Sequence, residues 1–276
     1  MRLSDAEIPT DAIDNRKRKR SSLSRRRVLQ IGTLISVLLM VILRLYALDS
    51  DPYPRLSWST GLLTDEGFYI HNARNQVLFG AARTDEFNNM LVMPLLHQVQ
   101  IVVFRVFGVG SISARLISVA ASLLSLPLFF FGMRRVFGLR VATAGALFLG
   151  LDHLPLLYTR MALMDPFAEA VLVCAFYTFT RTLPEGNALG ESEQSRSVFA
   201  WAFLTGLLLI GVYCIRTLGI LAILAVLPTL LVAGVRTSSF RRWIRFGGFL
   251  SGLIIGGTIY YFVWNLPHSA ELNHYS

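Results

Sequence analysis

Residues 118–138 read SVAASLLSLPLFFFGMRRVFG, a long apolar run that ends beside two adjacent arginines. From Ser113 to Met133 the only charged residue is Arg115. About 20 such residues are enough for a helix to cross the hydrocarbon core of a membrane, so the run predicts a transmembrane helix with a basic flank. Further apolar stretches of sufficient length lie near residues 28–48, 141–159, 166–182, 198–215, 217–235 and 246–264. Together they predict an all-α, polytopic membrane protein with about seven transmembrane helices.

The composition of the whole chain also indicates a membrane protein. Hydrophobic residues make up 54% of the 276 residues and charged residues 16%, which is more apolar than a soluble fold can bury. The net charge is +9, but the basic residues form short runs beside the apolar stretches, as in the flanks of membrane spans. We therefore expect no nucleic-acid partner. Cys174 and Cys214 both lie in apolar stretches and predict neither a disulfide framework nor a thiolate metal site.

An eighth apolar stretch, residues 91–107, decides the topology because it also carries polar side chains. On a helix His97, Gln98 and Arg105 fall within about a third of the circumference, which is typical of a helix lying in the membrane interface. If this stretch does not cross, two arginine clusters share the cytosolic side with the basic amino terminus: Arg134, Arg135 and Arg140, and Arg236, Arg241, Arg242 and Arg245. The bias of Lys and Arg toward cytoplasmic loops favours that arrangement, with the carboxyl terminus outside.

The predicted topology divides the chain into three parts. Residues 1–27 form a basic, disordered cytosolic tail, for which a twin-arginine export signal is the alternative interpretation. Residues 28–265 form the transmembrane module, and residues 266–276 an extracytoplasmic tail. The first outer loop, 49–112, is long and holds two juxtamembrane helices, at 66–79 and 91–107. We expect the protein in the cytoplasmic (inner) membrane, with its active-site loops extracytoplasmic.

Ionisable residues gather at the outer ends of the predicted spans. Taken singly, Asp65 and Asp165 have a structural interpretation as helix N-caps, and Glu66 as a first-turn acid. The topology nevertheless places a group of charges at one membrane face, where charges persist mostly if they pair or line a water-filled cavity. The group comprises Asp65, Glu66, Arg160, Asp165, Glu169 and Arg216. A purely structural alternative stays open, in which the two arginines only neutralise the acids.

Several motifs resemble one family of membrane enzymes. In chain order they are DEGFY (Asp65 to Tyr69), Pro94, FGVGSISARL (Phe107 to Leu116), RVFG (Arg135 to Gly138), LMDPF (Leu163 to Phe167) and CIRTLG (Cys214 to Gly219). This ordered set resembles the amino-terminal module of the type C glycosyltransferases, the superfamily of protein O-mannosyltransferases and of the aminoarabinose transferase that modifies lipid A. The resemblance covers about residues 30–265. Such enzymes continue beyond this module, so the chain corresponds to roughly the first half of a complete one.

The resemblance implies roles for individual residues. It makes Asp65 the catalytic base, with Glu66 beside it in the catalytic pair. It maps Asp165 and Arg216 onto the family's acidic and basic positions, and the further candidates for substrate and donor binding are Arg160, Tyr69 and Arg74. Arg216, Arg160 or a divalent cation would stabilise the departing phosphate. The metal ligands stay unknown, because Val92 and Met93 precede Pro94 where the family often has a charged residue.

The predicted function is transfer of a sugar, with inversion, from a polyprenyl phosphate carrier to an extracytoplasmic acceptor. The expected partners are the polyprenyl phosphate-linked sugar, membrane lipid, and a glycan, lipid or protein acceptor. Two alternatives stay open: a catalytically silent or truncated membrane protein of the same fold, and a transporter. Internal repeats would favour a transporter, and the sequence shows none by eye.

Overall fold

The computed structural model describes residues 31–49, 61–82, 88–183, 191–233 and 239–275. The predicted tail at 1–27 lies outside these residues. The chain divides into two units, residues 1–43 and 44–276. The described part of the first unit is helical and belongs to α1, Ile31–Leu45, which ends just inside the second unit.

The second unit is built from helices. They are α2 (Gly61–Phe79), α3 (Pro94–Phe107), α4 (Ser111–Phe137), α5 (Leu139–Leu151), α6 (His153–Thr159), α7 (Met164–Arg181), α8 (Glu191–Tyr213), α9 (Gly219–Ala233), α10 (Ser239–Tyr260) and α11 (Ser269–Tyr275). A 3₁₀ turn, Asn89–Leu91, precedes α3, and a π-helical turn, Tyr261–Asn265, continues α10. No strand occurs in the described ranges, so the predicted all-α class is confirmed.

Three helical segments are long and apolar enough to cross a membrane: Ser111–Phe137, Arg196–Tyr213 and Arg242–Asn265. A fourth candidate is the pair α5 and α6, which are bent by 57° relative to each other. Shorter apolar helices accompany them within the described residues. The chain is therefore a polytopic membrane protein, whereas the count of seven spans and their direction stay predictions.

Helix α3 is one of the shorter apolar helices. Its 14 residues extend about 21 Å, against a hydrocarbon core of about 30 Å. It begins at Pro94 and ends at Gly108, whose φ of +84° suits glycine and stops the helix. Its polar His97 is buried against the protein while the apolar Val102 is exposed. This pattern fits a helix lying in the membrane interface, as the sequence predicts.

Two helices begin earlier than their acidic residues suggest. Helix α2 begins at Gly61, so Asp65 is its fifth residue rather than its N-cap. Helix α7 begins at Met164 after an extended Leu163, which places Asp165 in the first turn. The N-cap interpretation of both aspartates is therefore wrong, and both side chains are available for another role.

The third predicted span is broken where it carries its two ionisable residues. Asp152 separates α5 from α6 and caps α6, because its carboxylate accepts a hydrogen bond of 2.9 Å from the backbone N–H of Leu154. The neighbouring His153 side chain is 86% exposed. The capping bond gives Asp152 a structural function at this bend.

The tightest helix pair is α8 with α10. A Cβ atom on Gly252 would clash with the backbone carbonyl of Phe203, and one on Gly206 would clash with that of Phe249. Glycine at these positions lets the two backbones approach closely. Buried Phe249 and Leu209 fill the core beside this contact.

Candidate functional site

Three helices and the link between α8 and α9 meet at one apolar cluster near the predicted site residues. Its buried members are Met93, Leu96, Ile117, Ala168 and Ile215, which come from α3 and the turn before it, from α4, from α7 and from the α8–α9 link. Tyr69 of α2 packs against them. The backbone N–H of Leu95 also donates to the carbonyl of Cys214 at 3.4 Å. This packing brings together chain segments that are far apart in sequence.

Asp165 and Arg216 form an ion pair above this cluster. Asp165 lies in the first turn of α7, and Arg216 lies in the link between α8 and α9. Their side chains are 39% and 36% exposed, so both charges are reachable from solvent while partly shielded. The sequence predicts both residues at one face, and the structure places them in contact.

Tyr69 lies within electrostatic range of both Asp65 and Arg216. Burial raises the pKa of the Tyr69 phenol first, the negative charge of Asp65 raises it further, and the positive charge of Arg216 opposes the rise. Both charges therefore act on the same phenol, which stays protonated at neutral pH and can donate a hydrogen bond. Asp65 and Tyr69 are four residues apart on α2 and share a face. We call Asp65, Tyr69, Asp165 and Arg216 the acid–base cluster.

Glu66 is held in a buried network instead of facing solvent. Its two carboxylate oxygens accept from the Arg115 guanidinium at 2.8 and 2.6 Å, a bidentate geometry. One of them also accepts from the backbone N–H of Ala162 at 2.6 Å. Glu66 thus ties α2 to α4 and to the link between α6 and α7, and so fixes the helix that carries Asp65.

Two arginines also hold the turn that follows α1. Arg115 donates to the carbonyl of Leu48 at 2.6 Å. Arg160 donates to the carbonyls of Tyr46 at 2.7 Å and Ala47 at 3.2 Å. Ala47 has a φ of +46°, an uncommon conformation for a residue with a side chain, and these bonds hold it there. Arg160 therefore holds the turn after α1 through two backbone carbonyls.

The remaining predicted residue, Arg74, lies apart from the acid–base cluster. It follows Asp65 by nine residues, which is half a turn beyond two full turns and puts it on the other side of α2. Its guanidinium donates to the side chain of Asn75 at 3.2 and 3.0 Å. The structure brings Asp65, Tyr69, Asp165 and Arg216 together and leaves Arg74 outside that group.

Two buried arginines are structural members of the site that the sequence prediction missed. Arg115 completes the Glu66 network, and Arg44 donates to the Ser122 hydroxyl at 2.7 Å and to the Gly150 carbonyl at 2.9 Å. Arg44 also interacts electrostatically with Glu169. A charge inside an apolar helix is itself a signal of function or pairing, so both positions could have been singled out.

The donor set for a divalent cation is not assembled at this site. Within the part of the chain that the structure describes, no three His, Cys, Asp or Glu side chains form a group that could hold a metal ion. Asp165 is already paired with Arg216, which leaves Asp65 as the other carboxylate of the acid–base cluster.

Comparison with known proteins gives one finding. The family model described as dolichyl-phosphate-mannose-protein mannosyltransferase matches residues 94–270, well over half of the chain. The match includes Arg160, Asp165 and Arg216 and begins after α2 with its Asp65. No curated protein and no solved structure matches the chain.

Proposed function

The chain belongs to the dolichyl-phosphate-mannose-protein mannosyltransferase family of membrane glycosyltransferases, and we propose that it transfers a sugar from a polyprenyl phosphate carrier to an acceptor hydroxyl. The acid–base cluster is the observation that supports this proposal, because the carboxylate of Asp65 and the guanidinium of Arg216 both act electrostatically on the phenol of Tyr69. The acceptor is a glycan, lipid or protein on the outer side of the cytoplasmic membrane. The chain acts alone or with a partner polypeptide.

Asp65 is the general base in this mechanism. Its carboxylate takes the proton of the acceptor hydroxyl while that oxygen forms a bond to the anomeric carbon. The bond from the anomeric carbon to the phosphate oxygen breaks, and its electron pair leaves with the polyprenyl phosphate. Direct displacement inverts the anomeric centre. A positioned base of this kind contributes about 100-fold to 10,000-fold to the rate.

Arg216 stabilises the departing phosphate. Electrostatic stabilisation acts where charge develops, and a guanidinium can form two parallel hydrogen bonds with phosphate oxygens. In the free protein Asp165 holds this guanidinium through their ion pair. The phenol of Tyr69, with its raised pKa, donates a further hydrogen bond to the lipid-linked sugar. Arg160 contributes at the periphery through the turn after α1, whereas Arg74 lies on the other side of α2.

Glu66 acts beside the base by positioning it. The three hydrogen bonds from Arg115 and Ala162 occupy its carboxylate and fix the first turns of α2. Asp65, one residue earlier, is exposed, so its carboxylate is accessible to an acceptor that approaches from solvent. Adjacent carboxylates thereby serve different functions, because one is buried and paired while the other is open.

The test is release of polyprenyl phosphate from labelled polyprenyl phosphate mannose in reconstituted membranes. Asp65→Asn should lower turnover at least about 100-fold, because asparagine keeps the size of the side chain and lacks the basic oxygen. Asp152→Asn is the matched control and should keep full turnover, since asparagine is an equally good N-cap for α6. The wild-type chain is assayed with and without candidate partner polypeptides.

Two results would contradict the proposal. Wild-type-like release by Asp65→Asn would remove Asp65 as the base. Absence of release by the wild-type chain under every partner condition, with the protein correctly inserted, would favour a catalytically silent member of the family.

A further inference from the structure

A separate cleft of about 560 Å³ lies at the other end of α2, where that helix meets α3 and the end of α10. Gln76, which lines it, follows Asp65 by eleven residues, or about 16 Å along the helix. The cleft is therefore distinct from the acid–base cluster. Its volume falls in the range of about 300–1,000 Å³ that is usual for small-molecule sites. The polar and aromatic residues lining it are Gln76, His97, Gln98, Arg105, Trp264 and His268.

His97 is the most informative residue of the cleft. It is 3% exposed, and its Nδ1 atom has no hydrogen-bond partner among the described residues. Burial, with the nearby His71, lowers the pKa of His97 to about 4, so the ring is neutral at neutral pH. A neutral imidazole offers one donor and one acceptor. A buried polar atom without a partner is costly.

Trp264 supplies a fixed aromatic surface. Its indole N–H donates to the carbonyl of Leu91 at 3.1 Å, and its ring stacks on His268 at 4.4 Å between centroids. The ring of His97 lies 6.4 Å away in a tilted arrangement. Trp264 belongs to the π-helical turn that continues α10. Such turns are rare in proteins overall, but they occur often at functional sites.

We propose that this cleft binds a carbohydrate. Two glutamine amides and a neutral imidazole offer both donors and acceptors, which suits hydroxyl groups that also donate and accept. The apolar C–H face of a sugar ring can lie against an exposed part of the Trp264 ring. An anion would accept hydrogen bonds only and would leave the acceptor atoms of these side chains unused. The proposal concerns binding alone and stands whether or not Asp65 transfers sugar.

The test is equilibrium binding of soluble neutral disaccharides of mannose, glucose and galactose to the purified chain in lipid nanodiscs. At least one should bind, and Gln98→Ala and Trp264→Leu should each weaken that binding at least about 5-fold, the effect of losing one hydrogen bond or ring contact. Gln98 is exposed, so its variant should fold normally. Asp65→Asn and Arg216→Ala should bind the disaccharide like the wild type, because they alter the other site.

Three results would overturn the proposal. The first is absence of binding by all three disaccharides. The second is equal affinity in the wild type, Gln98→Ala and Trp264→Leu. The third is tight binding of inorganic phosphate that displaces the disaccharide and is lost in Arg105→Ala, since that would identify an anion site. Thermal unfolding of each variant shows whether a loss of binding reflects the cleft or the fold.

Discussion

Arg216 combines two properties that are usually separated in a membrane protein. Its pairing with Asp165 compensates its charge at the border of the apolar helices, yet its side chain remains about one-third exposed. Deeper burial of an ion pair costs free energy, because both charges lose contact with water. The attraction between the charges offsets that cost only if every hydrogen bond of the pair is satisfied. The partial exposure leaves the guanidinium able to exchange its carboxylate partner for a phosphate.

Arg216→Ala should weaken binding of the lipid-linked sugar as well as its transfer. A hydrogen bond to a charged group contributes about 1.5–3 kcal/mol, which corresponds to roughly 10-fold to 100-fold in affinity. Binding of labelled polyprenyl phosphate mannose to nanodisc-embedded protein measures the effect. Asp65→Asn should retain donor binding, and Arg140→Ala, an exposed arginine at the start of α5, is the matched control. Wild-type affinity in Arg216→Ala would exclude Arg216 as the phosphate ligand.

At the residue scale, the sequence indicated which charged residues of the acid–base cluster lie at one face, but it did not indicate which residues hold them in place. Asp65, Asp165 and Arg216 could be grouped because topology alone places their loops at one face. The partner of Glu66 could not be predicted from local pattern, because Arg115 lies 49 residues away and the pairing depends on how α2 packs on α4. Asp65 and Glu66 are adjacent acidic residues, and the difference between them in the structure is that Glu66 is buried whereas Asp65 is exposed.

The packing of α8 on α10 depends on backbone contact at a few glycines. Gly252 faces the carbonyl of Phe203, whereas Gly257 on the same helix faces open space. The two positions have the same helix propensity and differ in their surroundings. They therefore separate the effect of close packing from the effect of glycine on the helix itself.

Gly252→Ala should destabilise the protein by about 1–3 kcal/mol, because the added methyl group forces the helices apart. Gly257→Ala should leave stability unchanged or raise it by up to about 1 kcal/mol, since alanine is the better helix former. Thermal unfolding in one detergent measures both variants. Equal effects of the two substitutions would mean that α8 and α10 do not approach closely at Gly252.

At the element scale the apolar runs located the helices, but the polar residues misplaced their starts. Each aspartate that precedes an apolar run resembles an N-cap, yet Asp65 and Asp165 both lie inside their helices. The helices begin earlier, at Gly61 and at Met164. Asp152 is the reverse case, since a residue inside an apolar run proved to cap a new helix.

For the molecule as a whole, the sequence predicts residues 49–112 outside the membrane and residues 134–140 in the cytosol. Single-cysteine labelling with an impermeant reagent tests this in a background where Cys174 and Cys214 are replaced. Ser111→Cys should label from outside and Leu139→Cys should not, and both positions are exposed on the protein. Labelling of Leu139→Cys from outside would contradict the seven-span topology.

The fold class and the membrane character follow from the composition and from the length of the apolar stretches. The way in which the helices pack together does not follow from either. Helix α3 shows the difference, because its length and its buried His97 support the predicted interfacial position. The cleft beside it was not predicted, since it needs Gln76, Gln98 and Trp264 from three distant segments. Such a site exists only in the packed structure.

The Glu66 network has a consequence for the synthesis of the protein. Its members are Leu48, Glu66, Arg115 and Ala162, which leave the ribosome in that order. At about 5–20 residues per second, Ala162 follows Glu66 by roughly 5–20 s. During that interval the carboxylate of Glu66 lacks its final partner. Arg115 is synthesised before Ala162, so the Glu66–Arg115 pair can form first and the backbone N–H of Ala162 completes the network later.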